Sequence, residues 1–289
     1  MKEPLFHGVC TAMVTPFKND EINYPMMQKL LERQIESGIH AVVIAGTTGE
    51  SATLSDHEKA ELFRKCKTFV GNDCLIIAGT GSNNTEHSIT LSICAEEAGV
   101  DGLLVVSPYY NKATSDGIYL HYRAICDAVK LPVIIYNVPG RTGLDIPVPV
   151  YEKLSHIENV AGIKEASSDI TKVAKIRNTC GEDFPIWSGN DDQIVPVMSL
   201  GGLGVISVLS NILPWETKAI CDAAQNCDYK TAAQLQCRYM DLIDFLFCEV
   251  NPIPVKSMMR AIGYDCGDCR LPLCELTKEN LQRMYNLIK

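Results

Sequence analysis

Apolar residues in this chain gather into short uninterrupted blocks instead of alternating with polar ones. The blocks are GVCTAMVTPF from residue 8, AVVIAG from 41, CLIIAGTG from 74, GLLVVSP from 102, PVIIYNVP from 132, VAGIKEAS from 160, FPIWSGND from 184 and GVISVLSN from 204. A strand covered on one face alternates, whereas a strand covered on both faces, as in a parallel sheet, reads as a continuous apolar run. Eight such blocks, mostly about 25 to 34 residues apart, leave room for one helix between neighbours.

The intervening segments have helical spacing. Ile118, Tyr122, Ile125 and Val129 fall at i, i+4, i+7 and i+11, which is one face of a helix. Ser55-Asp-His-Glu58 has the form of a capping box, and Asp169 stands before Ile170, Val173 and Ile176 as a second start signal. Eight strand-helix units predict an α/β fold of the (β/α)8 type, a TIM barrel. An open doubly wound sheet is the competing arrangement, but it carries fewer strands and a Gly-rich phosphate-binding turn after the first. Here TPFKND follows Val14.

Beyond Pro214 the apolar blocks stop, and helical spacing alone continues through Leu242, Ile243, Leu246 and Phe247 to Leu281, Met284, Leu287 and Ile288. The pattern divides the chain into a barrel at 1–225 and an α-helical C-terminal extension at 226–289, with no linker between them. The extension is expected on the barrel exterior or in a subunit interface.

In a barrel the chemistry collects at the C-terminal ends of the strands. Those ends read GTTGES (46–51), SPYYNK (107–112), YNVPGRTG (136–143), Lys164 and SGNDD (188–192). Read alone, Lys164 equally fits a solvated strand-end residue. Beside Tyr110, Tyr136, Thr47, Thr48 and Arg141 at neighbouring strand ends, it reads as a functional amine. Desolvation in such a cup disfavours the ammonium form of a lysine. The neutral amine attacks a ketone, and the resulting iminium draws electrons from the adjacent carbon, which is the basis of metal-free carbon-carbon bond formation.

Making and breaking an imine requires proton transfer, for which the hydroxyls of Tyr136, Thr47 and Tyr110 are suited; an edge tyrosine is the plainer reading of Tyr136. The Gly-Thr-Thr-Gly turn offers amides and hydroxyls to a carboxylate, although a turn that needs glycine geometry explains Gly46 and Gly49 equally well. Arg141 is planar and permanently charged, which suits a second carboxylate; its plainer reading is a surface ion pair.

Charge narrows the partners. A formal net charge of -9 leaves no global positive field for nucleic acid or anionic lipid. No apolar run approaches the roughly 18 residues of a membrane helix. The apolar stretch from Gly8 to Val14 is preceded by Glu3 and closed by Thr15, Pro16, Phe17 and Lys18, so it reads as a strand and not as a secretory signal. Thirteen cysteines without such a signal are expected to be reduced thiols of the cytoplasm.

No metal is expected. Cys266, Cys269 and Cys274 form CxxCxxxxC with no fourth ligand at a credible spacing, and the six histidines are scattered without an HxH or HxxxH pair. Asp191 and Asp192 suit a cap on the following helix better than Mg2+.

In the order GTTGES, SPYYNK, YNVPGRTG, GIKEAS, SGNDD, GGLGVISV and NPIPVK, the chain resembles the dihydrodipicolinate synthase family over nearly its whole length. The resemblance implies a Schiff-base lyase that condenses pyruvate with L-aspartate-4-semialdehyde in the diaminopimelate route to lysine, on a barrel with a helical extension. It implies an imine of pyruvate on Lys164 without a cofactor, and a proton relay of Tyr136, Thr47 and Tyr110, the last lent by a neighbouring subunit. It places the pyruvate carboxylate on Thr48, the semialdehyde carboxylate on Arg141, and backbone groups of Gly189 and Ile206 along the pocket. The family's usual assembly is a homotetramer built as a dimer of tight dimers.

N-acetylneuraminate lyase and keto-deoxy sugar-acid aldolases share GxTGE and the lysine strand but generally lack the arginine of YNVPxRT, so Arg141 discriminates among them. A barrel that binds pyruvate without turnover is the alternative outside enzymes. In lysine-inhibited members a pocket at the tight-dimer interface matches this chain at Ser51, Ala52, Asn83 and Tyr109, whereas Asp56, Lys59 and His87 stand where those members have His, His and Glu. A basic Lys59 and a lost glutamate disfavour a cationic ligand. The expectation is therefore no inhibition by lysine at millimolar concentration.

Overall fold

The computed structural model describes residues 3–288. Strand β1 (Gly8–Ala12) leads into a two-stranded antiparallel hairpin, β2 (Phe17–Lys18) and β3 (Glu21–Ile22), too short to leave a sequence signal. Then come β4 (Ala41–Ile44), β5 (Leu75–Gly79), β6 (Gly102–Val106), β7 (Val133–Asn137), β8 (Val160–Glu165), β9 (Ile186–Ser188) and β10 (Gly204–Ser207). With β1 these seven form a closed, all-parallel barrel. The closure is direct, since β1 pairs with β10 through Gly8 and Gly204 and with β4 through Cys10 and Ala41. Each of the eight apolar blocks supplies one barrel strand.

The helices are α1 (Tyr24–Glu36), α2 (Asp56–Val70), α3 (Thr85–Glu97), α4 (Ser115–Ala128), α5 (Pro139–Thr142), α6 (Val148–Ser155), α7 (Ile170–Cys180), α8 (Ile194–Ser199) and α9 (Pro214–Gln225), followed by α10 (Tyr229–Arg238), α11 (Met240–Leu246), α12 (Ile253–Ala261) and α13 (Lys278–Ile288). Helix α2 begins with a complete capping box: Ser55 N donates to Glu58 Oε2 at 2.8 Å, and Glu58 N donates to Ser55 Oγ at 3.2 Å. Asp169 holds the N-cap position of α7 without a side-chain cap bond. On α4 the face of Ile118, Tyr122 and Ile125 is buried, and the Tyr122 hydroxyl donates to the Val105 carbonyl of β6 at 3.0 Å.

Two layers of apolar packing result. Inside the barrel, Cys10, Val43, Ile77, Leu104, Ile134, Trp187 and Ile206 fill the lumen. Phe6 stacks on Trp187 at 4.7 Å, and the indole donates to the Phe6 carbonyl at 3.3 Å. Because Phe6 precedes β1, this pair plugs the N-terminal end of the barrel and leaves the opposite end for a site. A larger core lies between strands and helices, and Ile243, Phe245, Leu246, Val255, Met258 and Met259 from beyond residue 225 belong to it. On α13 Met284 is buried, while Leu281, Leu287 and Ile288 are exposed. Among the described residues no helix is long and apolar enough to cross a membrane.

Candidate active site

Lys164 of β8 stands opposite Tyr136 of β7 in the parallel ladder. The two side chains share the barrel interior, with Lys164 Nζ 4.3 Å from the Tyr136 ring centre. Both are buried, and Nζ makes no ion pair or hydrogen bond among the described residues. Because strand side chains alternate between faces, Glu165 points the other way. It is held by Asn137 Nδ2 at 3.0 and 3.1 Å and by Ser167 N at 2.7 Å, and burial raises its carboxyl pKa. The acid adjacent in sequence is therefore not a partner of the amine.

Room for the lysine arm depends on Gly189 of the loop after β9. A Cβ there would lie 2.6 Å from Ala166 Cβ and 3.0 Å from Lys164 Cε, closer than packed atoms tolerate. Across the barrel mouth, the Thr47-Thr48 turn after β4 is shaped by Ser51 N donating to Gly46 O at 3.2 Å and Glu50 N donating to Thr47 O at 3.1 Å. Glu50 closes the turn at φ 57°. Arg141 rides on the short helix α5, started by Pro139 at the end of the β7 strand-loop.

These groups border an open cavity of about 540 Å³ that contains Lys164, Tyr136, Thr47, Thr48, Arg141 and Gly189. Ile206 is fully buried in the barrel lumen, and past β10 it is Val208 that borders the cavity. Tyr110 does not line the cavity of its own chain: it is 91% exposed, at φ 69°. A single chain thus gathers one phenol where the strand-end pattern brought together two.

A second cavity, of about 460 Å³, shares Thr47, Tyr136 and Arg141 with the first and runs on to Ser51, Ala52, Asp56, Lys59, His87 and Tyr109. Asn83 is not in that lining; its carbonyl accepts from Asn111 Nδ2 at 3.0 Å. His87 Nε2 lies 2.9 Å from Asp56 Oδ1, and its Nδ1 lies 3.2 Å from Ser82 Oγ. Lys59 is buried with no ion pair among the described residues, and burial lowers its pKa from the ordinary lysine value.

Asp191 differs from expectation. Instead of capping the helix that follows it, its Oδ2 accepts from the amides of Val208 and Leu209, at 3.0 and 2.9 Å, and so fixes the turn after β10. Of the cysteines in the CxxCxxxxC stretch, Cys266 is buried, Cys269 half-buried and Cys274 exposed. Among the described residues no cluster of three or more His, Cys, Asp or Glu side chains is arranged to hold a metal ion.

Two features escaped sequence reasoning. Asn251, between α11 and α12, donates from Nδ2 to Thr48 Oγ1 at 3.0 Å, and its carbonyl accepts from Arg141 at 3.3 Å. Glu50 and Lys256 form a buried ion pair at 2.8 Å. Both Asn251 and Lys256 lie in NPIPVK, a motif that carried resemblance but had no assigned role.

The chain matches the model of the dihydrodipicolinate synthetase family over residues 5–289. It is 47% identical over 277 residues to the 4-hydroxy-tetrahydrodipicolinate synthase of Clostridium perfringens, covering 96% of this chain and 95% of the relative. Among solved structures, the lysine-bound enzyme of Cyanidioschyzon merolae superposes with a TM-score of 0.96 at 40% identity, over 99% of this chain and 98% of that one. The chloride-inhibited dihydrodipicolinate synthase of Acinetobacter baumannii, complexed with pyruvate, gives a TM-score of 0.95 at 38% identity, over 98% and 97% of the two chains. With the strand-end lysine, the whole-length match and the shared barrel in agreement, the chain belongs to the dihydrodipicolinate synthetase family.

Proposed function

We propose that this chain condenses pyruvate with L-aspartate-4-semialdehyde, through an imine on Lys164, to give 4-hydroxy-tetrahydrodipicolinate in the diaminopimelate route to lysine. One observation carries the reading: a buried lysine amine, with no acid bound to it among the described residues, faces a cavity that also holds Tyr136, Thr47, Thr48 and Arg141.

The neutral amine attacks C2 of pyruvate, and the ketone oxygen leaves as water once it has been protonated. The iminium accepts the electron pair released when a methyl proton is lost, so no metal or cofactor is called for. The resulting enamine attacks the aldehyde carbon of the semialdehyde, whose oxygen takes up a proton. The semialdehyde amine then adds to the iminium carbon, closes a six-membered ring and displaces Lys164. One water is released overall.

Thr48 receives the pyruvate carboxylate and Arg141 the semialdehyde carboxylate, with Gly189 and Ile206 contributing backbone groups. Tyr136 and Thr47 carry protons with the partner subunit's Tyr110. An exposed tyrosine at positive φ supports that last role, since backbone strain of this kind costs about 1–3 kcal/mol and persists where function uses it. We assign the imine chemistry to residues 1–225, with 226–289 as an extension that completes the cavity, and place the protein in the cytoplasm as a tetramer of two tight dimers.

The test is pyruvate consumption with the semialdehyde, run beside pyruvate release from N-acetylneuraminate and from a keto-deoxy sugar acid, with Lys164→Ala as control. Turnover confined to the semialdehyde and lost in the variant is expected. Cleavage of a sugar acid instead would keep the imine and overturn the role given to Arg141.

A further inference from the structure

The extension reaches the site through Asn251. This residue is 4% exposed and touches both ends of the cavity, Thr48 through its side chain and Arg141 through its carbonyl. A hydroxyl has one proton to donate and two lone pairs to accept with. At Thr48 one lone pair is occupied by the Asn251 amide N–H, and no protein group among the described residues accepts the Thr48 proton. The hydroxyl is therefore left with its donor free on the side of the cavity. Asn251 Oδ1 is itself buried and has no donor among the described residues, so the amide's one side-chain bond at the site is the N–H to Thr48.

We propose that Asn251 is a positioning residue: its amide keeps the Thr48 hydroxyl a donor toward the pyruvate carboxylate, while its carbonyl ties Arg141 to the same point. An acceptor at this position would capture the Thr48 proton and turn a lone pair toward the incoming anion. The carbonyl contact sets the distance between the two carboxylate sites, so the extension fixes the spacing at which the two substrates meet. The inference rests on the assignment of Thr48 to the pyruvate carboxylate.

The experiment traps the pyruvate imine with borohydride over a range of pyruvate concentrations and reads the half-trapping concentration by intact mass, beside steady-state KM values for both substrates. The variants are Asn251→Leu, of similar size and without a donor, Thr48→Val, and the double variant. Asn251→Leu, which takes away the bond that orients the Thr48 hydroxyl, is expected to raise the half-trapping concentration about three- to tenfold, as for one lost hydrogen bond between neutral groups, with the semialdehyde KM changed no more than about threefold. In the Thr48→Val background the same substitution should add little, because both changes remove one interaction.

Additive effects of the two substitutions, or equal loss for both substrates, would overturn the role of Asn251. If Thr48→Val alone leaves the half-trapping concentration unchanged, the assignment of Thr48 fails, a result distinct from a shift in Thr48→Val with none in Asn251→Leu. Should Asn251→Leu not fold, Asn251→Asp preserves shape and reverses the amide's polarity; it is expected to raise the half-trapping concentration at least as far, and an unchanged value would refute the proposal.

Discussion

Glu50 and Lys256, 206 residues apart in sequence, form an ion pair at 2.8 Å with both side chains sealed from solvent. Glu50 closes the turn that carries Thr47 and Thr48, and its second oxygen accepts from the Arg270 amide at 2.8 Å. Lys256 also donates to the Asp268 carbonyl at 2.9 Å and lies 4.4 Å from the Phe17 ring centre. One buried pair thus fastens a barrel loop to both α12 and the segment after it.

Removing one charge from such a pair leaves the other desolvated and alone, which costs about 3–5 kcal/mol. Lys256→Met is expected to lower the unfolding free energy by that amount in a denaturant titration. A loss below about 1 kcal/mol would mean that water reaches Glu50 and that the pair does not anchor the turn.

The barrel was legible in the sequence because strands covered on both faces cannot alternate, so each left an uninterrupted block. Lys164 stood out only through its company, since a lysine at a strand end is ordinary by itself and hydroxyls and an arginine end the neighbouring strands. Asn251 and Lys256 were not, since their meaning lies in contacts across 203 and 206 residues and local pattern records only neighbours. Asp191 was misread for the same reason: the amides it binds lie 17 and 18 residues onward. The hairpin of β2 and β3 offered two residues per strand, too few for any period to show.

Tyr110 provides a test of assembly. If the partner subunit's Tyr110 completes each site, a dimer that pairs a Tyr110→Phe chain with a Lys164→Ala chain contains one site with both groups intact. Mixing the two impaired variants under conditions of subunit exchange should restore about a quarter of wild-type turnover, since half the dimers are mixed and each has one working site. Additive residual activities after exchange would place Tyr110 outside the neighbour's chemistry.

Lysine is expected not to inhibit. A free lysine entering the second cavity meets the buried Lys59 ammonium, while the nearby Asp56 carboxylate is already bound to His87. Two like charges about 4 Å apart repel by roughly 4 kcal/mol at the effective dielectric of a protein surface, a loss of nearly three orders of magnitude in affinity. Initial rates at subsaturating pyruvate should stay flat as lysine rises into the millimolar range. Half-inhibition within that range would show that the pocket accepts a cation despite Lys59.

A pH dependence of stability is built into α4. His121 is buried, with Nδ1 3.0 Å from Thr85 Oγ1, Nε2 without a partner among the described residues and the Tyr122 ring edge-on at 5.4 Å. Burial pushes its pKa down to about 4 from an ordinary 6.5. Above the ordinary value both folded and unfolded chains hold the ring neutral, so nothing is lost. As pH falls toward 4 the unfolded chain binds a proton that the folded chain refuses, and stability declines, by up to about 3 kcal/mol once both are protonated. His121→Asn keeps a hydrogen-bonding group near Thr85 but cannot titrate. Unfolding free energies measured from about pH 7 down to about pH 4.5 should therefore fall more steeply for the wild type than for the variant. Parallel declines would assign the acid sensitivity to carboxylates elsewhere in the fold.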